Sequence, residues 1–295
     1  MVERKIFWKI FQMVHLKELC FLPKNKMIIG GYMNSTISFI GTGAMGGAII
    51  RSLCAKYDAS NVTITNRTYE KAKKLADETG CNCVKTNKEA LKAKYIFIGV
   101  KPQFLADVFA EIKDDIPSDS VVISMAAGVK IEKLETFAKA RYVRIMPNVA
   151  AQVGESMTAV CCNDNITKEE LSDVMEILNT SGKSEIVPER LMDCVTGVSG
   201  SGPAYVFMFI EALADAAVRC GMPRSQAYTY AAQTVYGSAA MVLETKKHPA
   251  ELKDMVCSPA GTTIEAIAAL EKNGFRNAVI EAVTASFEKS VKLGK

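Results

Sequence analysis

A glycine-rich segment after a short β-prone run constrains the fold of this chain more than any other feature. Residues 36–40 are apolar and β-prone, and Gly41, Gly43 and Gly46 follow them before a helical stretch. In G-x-G-x-x-G, the first glycine permits a tight turn, the second admits a pyrophosphate and the third lets helix and strand pack closely. The helix start would then face phosphates with free N–H groups. The motif predicts dinucleotide binding; the alternative is an ordinary strand-to-helix turn.

Strand and helix patterns alternate along the segment that follows this motif. We expect strands at residues 36–40, 62–65, near 84, 95–100, 120–125, 141–146, 156–162 and 183–187, with helical stretches between most of them. Such alternation predicts a parallel sheet with helices on both faces. The predicted fold class is therefore α/β, and the first domain along the chain is a Rossmann-type parallel sheet domain.

The remainder of the chain, after about Pro188, carries helical patterns only. Residues 204–220 include three charges, Glu211, Asp215 and Arg219, which share one narrow stripe of a helix. A helix that is apolar around most of its circumference must be covered on several sides. We favour a subunit interface over the core helix of a monomer, and a membrane span is disfavoured because the stretch is short and charged. The domain prediction is 33–188 for the sheet and 189–295 for an all-α dimerisation domain.

Composition excludes several classes of protein. The formal net charge is +4, which is too mild to indicate a nucleic-acid partner. There are nine cysteines without C-x-x-C spacing and only two histidines, so no metal site is predicted. We interpret the cysteines as reduced thiols of a cytoplasmic protein.

The first 32 residues do not fit the regular pattern. They mix apolar residues with several lysines, and no apolar run among them is long enough to span a bilayer. An amphipathic appendage, an unusual targeting segment and upstream sequence outside the working protein are the three interpretations. We favour the last, with Met27 or Met33 as the start.

The turn after the second predicted strand bears on the choice of dinucleotide. An NAD-preferring fold usually places Asp or Glu here to hold the ribose 2′-hydroxyl. This chain has Asn66, Arg67 and Thr68, all of which donate hydrogen bonds, and Lys71 follows a turn later. A guanidinium binds phosphate as a fork. We therefore predict NADPH as the cofactor, with NADH as a second choice; the alternative is a solvated turn and helix cap.

Later strand ends reach the same crevice. Val100-Lys101-Pro102 follows one predicted strand, and Lys101 would contact a phosphate or ribose unless it merely precedes a helix. Residues 124–128 and 147–148 end two further strands with mostly small residues, which let a flat ring lie against the backbone. Together they favour a nicotinamide site.

A segment of small and hydroxyl residues, 257–265, precedes a helix near the C-terminus. Thr262 and Glu265 have the spacing of a capping box, so a helix is expected to begin here. A loop of this kind at a helix start is a natural seat for a carboxylate, although Glu265 would oppose an anion unless it is turned away. The alternative is a capped helix after a proline turn.

Three stretches, VTGVSGSGPAYVF, HPAELKDMV and CSPAGTTIEAIAALE, stand in this order behind the glycine motif. Together they resemble the pyrroline-5-carboxylate reductase family from about residue 36 to the C-terminus. The resemblance implies reduction of 1-pyrroline-5-carboxylate to L-proline by NADPH or NADH. It also implies a Rossmann domain and a helical domain that interlocks into homodimers or higher homo-oligomers, with no nucleic-acid or membrane partner.

The same resemblance implies a set of site residues. Cofactor contacts, with Gly46 and Arg67 added from the reasoning above, are expected at Ile40, Gly41, Thr42, Gly43, Ala44, Met45, Gly46, Asn66, Arg67, Thr68, Asn87, Gly99, Val100, Lys101, Pro102, Met125, Ala126 and Ala127. Substrate contacts are expected at Ser258, Gly261, Thr262, Thr263 and, more weakly, Glu189. Two positions depart from the family: Ala260 replaces a frequent glycine, and Met255 replaces a frequent asparagine.

The chemistry of an imine requires little acid–base apparatus. Such an enzyme must hold the nicotinamide against the imine carbon. We assign the catalytic role to Thr263, whose hydroxyl would bond near the ring nitrogen, and expect water or the protonated imine to supply the proton. Two alternatives stay open: a β-hydroxyacid dehydrogenase-like reductase, disfavoured because residues 204–220 lack lysine, and a non-catalytic NADP-binding regulator.

Overall fold

The computed structural model describes residues 35–294, so the predictions for residues 1–32 lie outside the described residues. Within that range one sheet contains the strands β1 (Ile37–Ile40), β2 (Val62–Thr65), β3 (Asn82–Cys83), β4 (Tyr95–Ile98), β5 (Val121–Ser124), β6 (Arg141–Met146), β7 (Ser156–Cys162) and β8 (Gly182–Ile186). Their order across the sheet is β3-β2-β1-β4-β5-β6-β7-β8. The predicted fold class is confirmed.

The helices of the sheet region connect and cover its strands. They are α1 (Ala44–Cys54), α2 (Tyr69–Thr79), α3 (Leu105–Ile112), α4 (Ile131–Phe137) and α5 (Lys168–Asn179). Strands β1, β4 and β5 are buried along their whole length because helices pack on both faces. The strand order reverses direction at β1 and β4, which places a crevice at their carboxyl ends.

The last two strands extend the predicted parallel sheet, and one of their pairings is antiparallel. Strand β7 pairs antiparallel with β6, and β8 then pairs parallel with β7. Only residues 147–155 link β6 to β7, and they form a short 3-10 turn. A parallel partner needs a crossover of about a dozen residues or more. Helix α5 supplies that crossover between β7 and β8.

The second half of the chain is all helical, as predicted. Its helices are α6 (Met192–Val195), α7 (Gly202–Arg219), α8 (Arg224–Thr245), α9 (Pro249–Met255), α10 (Thr262–Lys272) and α11 (Phe275–Leu293). A π-helical turn, Thr196–Gly200, joins α6 to α7. Helix α7 packs on α8 through a small cluster around Ala214, Ala227 and Ala231.

Helix α7 is not the core helix of a monomer. Its buried residues are Gly202 and Ala214, whereas Phe207 is 61% exposed and Met208 is 71% exposed within the single chain. Exposed apolar side chains also line α8, α10 and α11, including Tyr230, Ile264 and Ile280. So many exposed apolar side chains on one group of helices indicate an interaction site.

One described stretch, Glu189–Arg219, is long and apolar enough to cross a membrane, and almost none of its apolar part is buried in the single chain. It is interrupted by the π-helical turn and carries the charges of Glu211, Asp215 and Arg219. A subunit interface accounts for the same exposed apolar surface.

A buried carboxylate holds α5 against the sheet. Glu170 accepts hydrogen bonds from Lys94 Nζ (2.7 Å) and Arg141 Nη1 (2.6 Å), and it completes a capping box with Thr167. Burial would raise the pKa of Glu170, but the bonds from Lys94, the Thr167 backbone and Arg141 outweigh it and lower the pKa to about 2. The ionised form is therefore built into the fold.

A Glu170→Gln variant is expected to lose roughly 2–3 kcal/mol of stability at neutral pH, because two cations lose their partner. The native pKa lies below the usual 4.5, so this contribution is present above about pH 4.5 and is lost as pH falls toward 2. Thermal unfolding of both proteins from pH 7 to pH 2.5 should show a converging gap. Glu169→Gln, on the exposed side of the same turn, is the control and should leave stability unchanged. A gap that is constant with pH would contradict the assignment.

Candidate active site

The glycine loop forms one wall of the crevice at the end of β1. Gly41 has φ +100°, and a Cβ placed there would lie 2.9 Å from the backbone C and O of Gly99. The Gly41 N–H donates to the Thr65 carbonyl (2.9 Å), and the Gly99 N–H donates to the Ile40 carbonyl (2.8 Å). Only glycine fits where two strand ends approach this closely. The loop is therefore fixed between β2 and β4.

The start of α1 presents an open cradle. A Cβ at Gly46 would lie 2.8 Å from the Gly41 carbonyl oxygen, so this glycine permits helix–strand packing, whereas Gly43 faces open space. No side chain caps the helix, and its first turn has no acidic residue. Thr42 Oγ1 is buried and has no hydrogen-bond partner among residues 35–294. Free N–H groups and an unpartnered hydroxyl suit an anionic, oxygen-rich ligand.

The turn after β2 supplies the next wall. Asn66 Oδ1 accepts from the Thr42 N–H (3.3 Å), and Asn66 Nδ2 donates to the Thr68 carbonyl (3.1 Å). Asn66 therefore fixes the turn to the glycine loop, while the Arg67 and Thr68 side chains are exposed beside it. Thr68 precedes α2 and makes no side-chain cap bond, so its hydroxyl is not used by the helix.

These walls enclose a cavity of about 860 Å³. Predicted cofactor residues that line it are Ile40, Gly41, Thr42, Gly43, Ala44, Asn66, Arg67, Thr68, Asn87, Gly99, Val100 and Lys101. Predicted cofactor residues that do not line it are Met45, Gly46, Pro102, Met125, Ala126 and Ala127. The cavity is large enough for much of a dinucleotide, and its residues come from the carboxyl ends of neighbouring strands.

The cavity is predominantly basic. Six basic side chains line it against three acidic ones, the acids being Glu78, Asp107 and Glu111. Glu78 is bonded to Arg51 through two hydrogen bonds of 2.6 and 2.9 Å, and Glu111 accepts from Asn87 Nδ2 (2.7 Å). The Asn87 amide therefore leaves its oxygen as the free group, which suits a hydroxyl or amine of a ligand.

Several lining residues were missing from the predicted set. Phe104 reaches the cavity because Pro102–Phe104 forms a 3-10 turn after Lys101. Lys85 lies over the Tyr69 ring at 6.0 Å, and both line the cavity. The three-residue spacing from Lys101 to Phe104 indicates that both face the cavity from one 3-10 turn, whereas nothing in the sequence around Lys85 places it there.

The predicted substrate loop lies apart from this cavity in the single chain. Ser258, Gly261, Thr262 and Thr263 are absent from the residues that line it. The loop makes a tight turn, with the Gly261 N–H donating to the Ser258 carbonyl (3.0 Å), and a Cβ at Gly261 would lie 2.3 Å from Ser258 Oγ. Ala260 has φ +56°, a left-handed conformation that costs a non-glycine residue about 1 kcal/mol. The departure at Ala260 thus falls where glycine is favoured.

The predicted capping box at Thr262 and Glu265 is wrong. Helix α10 begins at Thr262, so Gly261 occupies the cap position, and no side chain caps the helix. The capping box requires Thr262 as the cap residue. The left-handed turn at Ala260 starts the helix one residue too early for that. The first N–H groups of α10 are consequently free of side-chain partners, although Glu265 lies in the first turn.

Glu189 is engaged by the protein itself. Its Oε1 accepts from the Ile131 N–H at the start of α4 (2.8 Å) and from Arg144 Nη1 (3.1 Å). Arg144 is buried, so this carboxylate neutralises an otherwise unpaired charge. The contacts account for Glu189 without a substrate.

The sheet region and the helical region meet beside the carboxyl ends of β5 and β6. Gly128, with φ +77°, lies against the end of α11, where a Cβ would be 3.3 Å from Gly294 N and from the Ser290 carbonyl. Asn148 Nδ2 donates to Ser199 Oγ (3.2 Å), which in turn donates to the Met157 carbonyl (3.2 Å). The segments that follow β5 and β6 are thereby held by helical elements.

Fold and cavity together define a dinucleotide-binding protein of the Rossmann class. Two family descriptions match the chain: "NADP oxidoreductase coenzyme F420-dependent" over residues 36–128 and "Pyrroline-5-carboxylate reductase dimerisation" over residues 189–293. The pyrroline-5-carboxylate reductase of Escherichia coli (strain K12) is 48% identical over 271 residues, 89% of this chain and 100% of that protein. The chain belongs to the pyrroline-5-carboxylate reductase family.

Solved structures agree with this assignment. The Plasmodium falciparum pyrroline carboxylate reductase with NADP bound has a TM-score of 0.81 and 32% identity, and the match covers 90% of this chain and 100% of that one. The pyrroline-5-carboxylate reductase of Coxiella burnetii has a TM-score of 0.83 and 34% identity, covering 88% and 99%. Because the dimerisation family spans α6–α11, the exposed apolar surface is that of a homo-oligomer.

Proposed function

We propose that this protein is a pyrroline-5-carboxylate reductase, which transfers a hydride from NAD(P)H to the imine carbon of 1-pyrroline-5-carboxylate and yields L-proline, the last step of proline biosynthesis. One observation carries the proposal: a single chain holds an open dinucleotide cradle and, within its dimerisation region, the exposed turn of residues 258–263. Relatives of that name match the chain over both parts.

The cavity residues fit NADPH, with NADH as a second choice. The open space at Gly43, the unpartnered Thr42 hydroxyl and the free N–H groups of α1 suit the pyrophosphate. Arg67 and Thr68 suit the 2′-phosphate, and Lys71 lies on the same wall. Bound there, the cofactor supplies the hydride. Met125, Ala126 and Ala127 would lie on the nicotinamide side, beyond the basic part of the cavity.

The substrate carboxylate would be held by the backbone N–H groups of Thr262 and Thr263 at the start of α10, with the bond from the Gly261 N–H to the Ser258 carbonyl supporting the turn. The Thr263 hydroxyl would bond near the ring nitrogen. The described residues include one histidine, His248, which accepts from the Ala250 N–H in a helix cap away from the cavity. We assign the proton to water or the protonated imine. Glu189, which already accepts from Arg144 and the Ile131 N–H, stays a candidate substrate contact.

The site is composite under this proposal. The turn of residues 258–263 is absent from the walls of its own chain's cavity, and the helices around it expose apolar side chains. A homodimer that buries those helices would bring the turn of one chain to the crevice of its partner. We assign 33–188 to cofactor binding, 189–295 to substrate binding and dimerisation, and the cytoplasm as location.

Turnover of 1-pyrroline-5-carboxylate with NADPH, followed by absorbance, tests the assignment. Thr263→Ala is expected to lower kcat/KM about 10- to 100-fold, because a hydrogen bond to the reacting ring is removed. Thr136→Ala removes an exposed hydroxyl that bonds only to the Lys133 carbonyl, and it should leave turnover unchanged. Binding of NADPH without turnover by the wild-type protein would refute the proposed reaction.

A further inference from the structure

An arginine and an aromatic ring contact each other at the lining of the cofactor cavity. The Arg67 guanidinium carbon lies 4.8 Å from the centroid of the Phe104 ring. Arg67 follows β2, whereas Phe104 ends the 3-10 turn after β4, and both line the cavity. The contact therefore joins two strand ends at the position where the sequence predicts a 2′-phosphate.

The guanidinium is otherwise uncommitted. Among residues 35–294, Arg67 has no hydrogen bond and no ion pair with a carboxylate, unlike Arg51 in the same cavity, which Glu78 neutralises. The ring contacts one face of the guanidinium and leaves its N–H edge available. A planar fork with a free edge is the geometry that recognises phosphate.

A ring is a better support here than a carboxylate. An exposed arginine side chain loses about 2 kcal/mol of rotamer entropy when it is fixed, and a cation–π contact offsets part of that cost without neutralising the charge. Asp107 and Glu111 line the cavity from the helix that follows Phe104. An arginine paired with either would have its charge cancelled before a phosphate arrived.

We propose that Phe104 is a positioning residue for cofactor choice: its ring holds the Arg67 guanidinium where the 2′-phosphate of NADPH binds, and so favours NADPH over NADH. The inference rests on the proposed function only in taking this cavity as the NADPH site. It concerns binding of the adenosine half and does not involve hydride transfer.

Two probes isolate this effect from catalysis. Adenosine 2′,5′-bisphosphate and adenosine 5′-monophosphate differ only in the 2′-phosphate, and calorimetric titration measures the affinity of the full-length protein for each. Phe104→Leu keeps apolar bulk but removes the π face, so we expect affinity for the bisphosphate to fall about two- to fivefold, with affinity for the monophosphate unchanged. Phe104→Trp should restore wild-type affinity.

The pair is tested by a double-mutant cycle. Arg67→Leu should weaken bisphosphate binding at least about tenfold, because a charge-assisted bond to phosphate is lost. If Phe104 acts through Arg67, then Phe104→Leu has no further effect in the Arg67→Leu background. Phe137→Leu is the matched control, because Lys133 lies 5.3 Å from the Phe137 ring, outside the cavity. Loss of that ring should lower thermal stability and leave both affinities unchanged.

Three outcomes would overturn the inference. Equal weakening of both probes by Phe104→Leu would make the ring an adenine contact. If Phe104→Leu still weakened bisphosphate binding in the Arg67→Leu background, Phe104 would not act through Arg67. Equal affinity of the wild-type protein for the two probes would mean that the cavity has no site for the 2′-phosphate. Absence of turnover with 1-pyrroline-5-carboxylate, alongside intact discrimination between the probes, would instead refute the proposed reaction and leave the role of Phe104 standing.

Discussion

A Met208→Asp variant is expected to be monomeric and to lose at least about 99% of its turnover. Met208 is 71% exposed in the single chain, so an aspartate there costs the isolated fold little. In the dimer the same position would be covered, and burying an unpaired carboxylate costs about 3 kcal/mol or more. Two-fold symmetry places the substitution in the interface twice. Light scattering gives the mass, and circular dichroism shows whether helix content is retained.

The composite site makes this variant informative about catalysis as well as assembly. A monomer would keep its cofactor cavity, so NADPH binding should persist while turnover of 1-pyrroline-5-carboxylate is lost. Val153→Asp is the matched control, since Val153 is 77% exposed but lies in the sheet region, outside residues 189–293. It should leave mass and turnover unchanged. A monomeric Met208→Asp protein with full turnover would mean that one chain completes the site alone.

Much of the sheet could be predicted because its signals are local. Strands β2, β6 and β7 begin and end at the predicted residues, since each is a buried run bounded by polar or turn-forming residues. The direction of β7 could not be read in this way. It depends on the length of the link from β6, because a parallel neighbour needs a long crossover and an antiparallel neighbour does not.

The candidate site was predictable in its glycine loop and less so elsewhere. The loop's geometry is contained in one short segment, where φ at Gly41 and the close approach of Gly99 leave no other residue type. Phe104 and Lys85 reach the cavity from separate strand ends, so their meeting with Arg67 and Tyr69 is a property of the fold. The exposed turn of residues 258–263 lies outside its own chain's cavity, which spacing along one chain does not reveal.

Gly41→Ala is expected to weaken NADPH binding at least about tenfold and to lower stability by about 2–3 kcal/mol. Its φ of +100° lies in a region that residues with a Cβ avoid, and such strain costs about 1–3 kcal/mol. The new methyl group would also lie 2.9 Å from the backbone of Gly99, which is part of a strand end and has little freedom to move. The loop would have to withdraw from β4, and the cradle for the pyrophosphate would open.

Gly221→Ala separates the two causes. Gly221 has φ +97°, nearly the value at Gly41, but a Cβ there meets nothing within 4 Å. The two variants therefore share the backbone strain and differ in the contact with Gly99. Thermal unfolding should show a loss in both, larger for Gly41→Ala, and fluorescence titration with NADPH should show weakened binding for Gly41→Ala alone. If Gly41→Ala bound NADPH as tightly as Gly221→Ala, the close approach of the two strand ends would have no part in shaping the cofactor site, and strain would account for the whole effect.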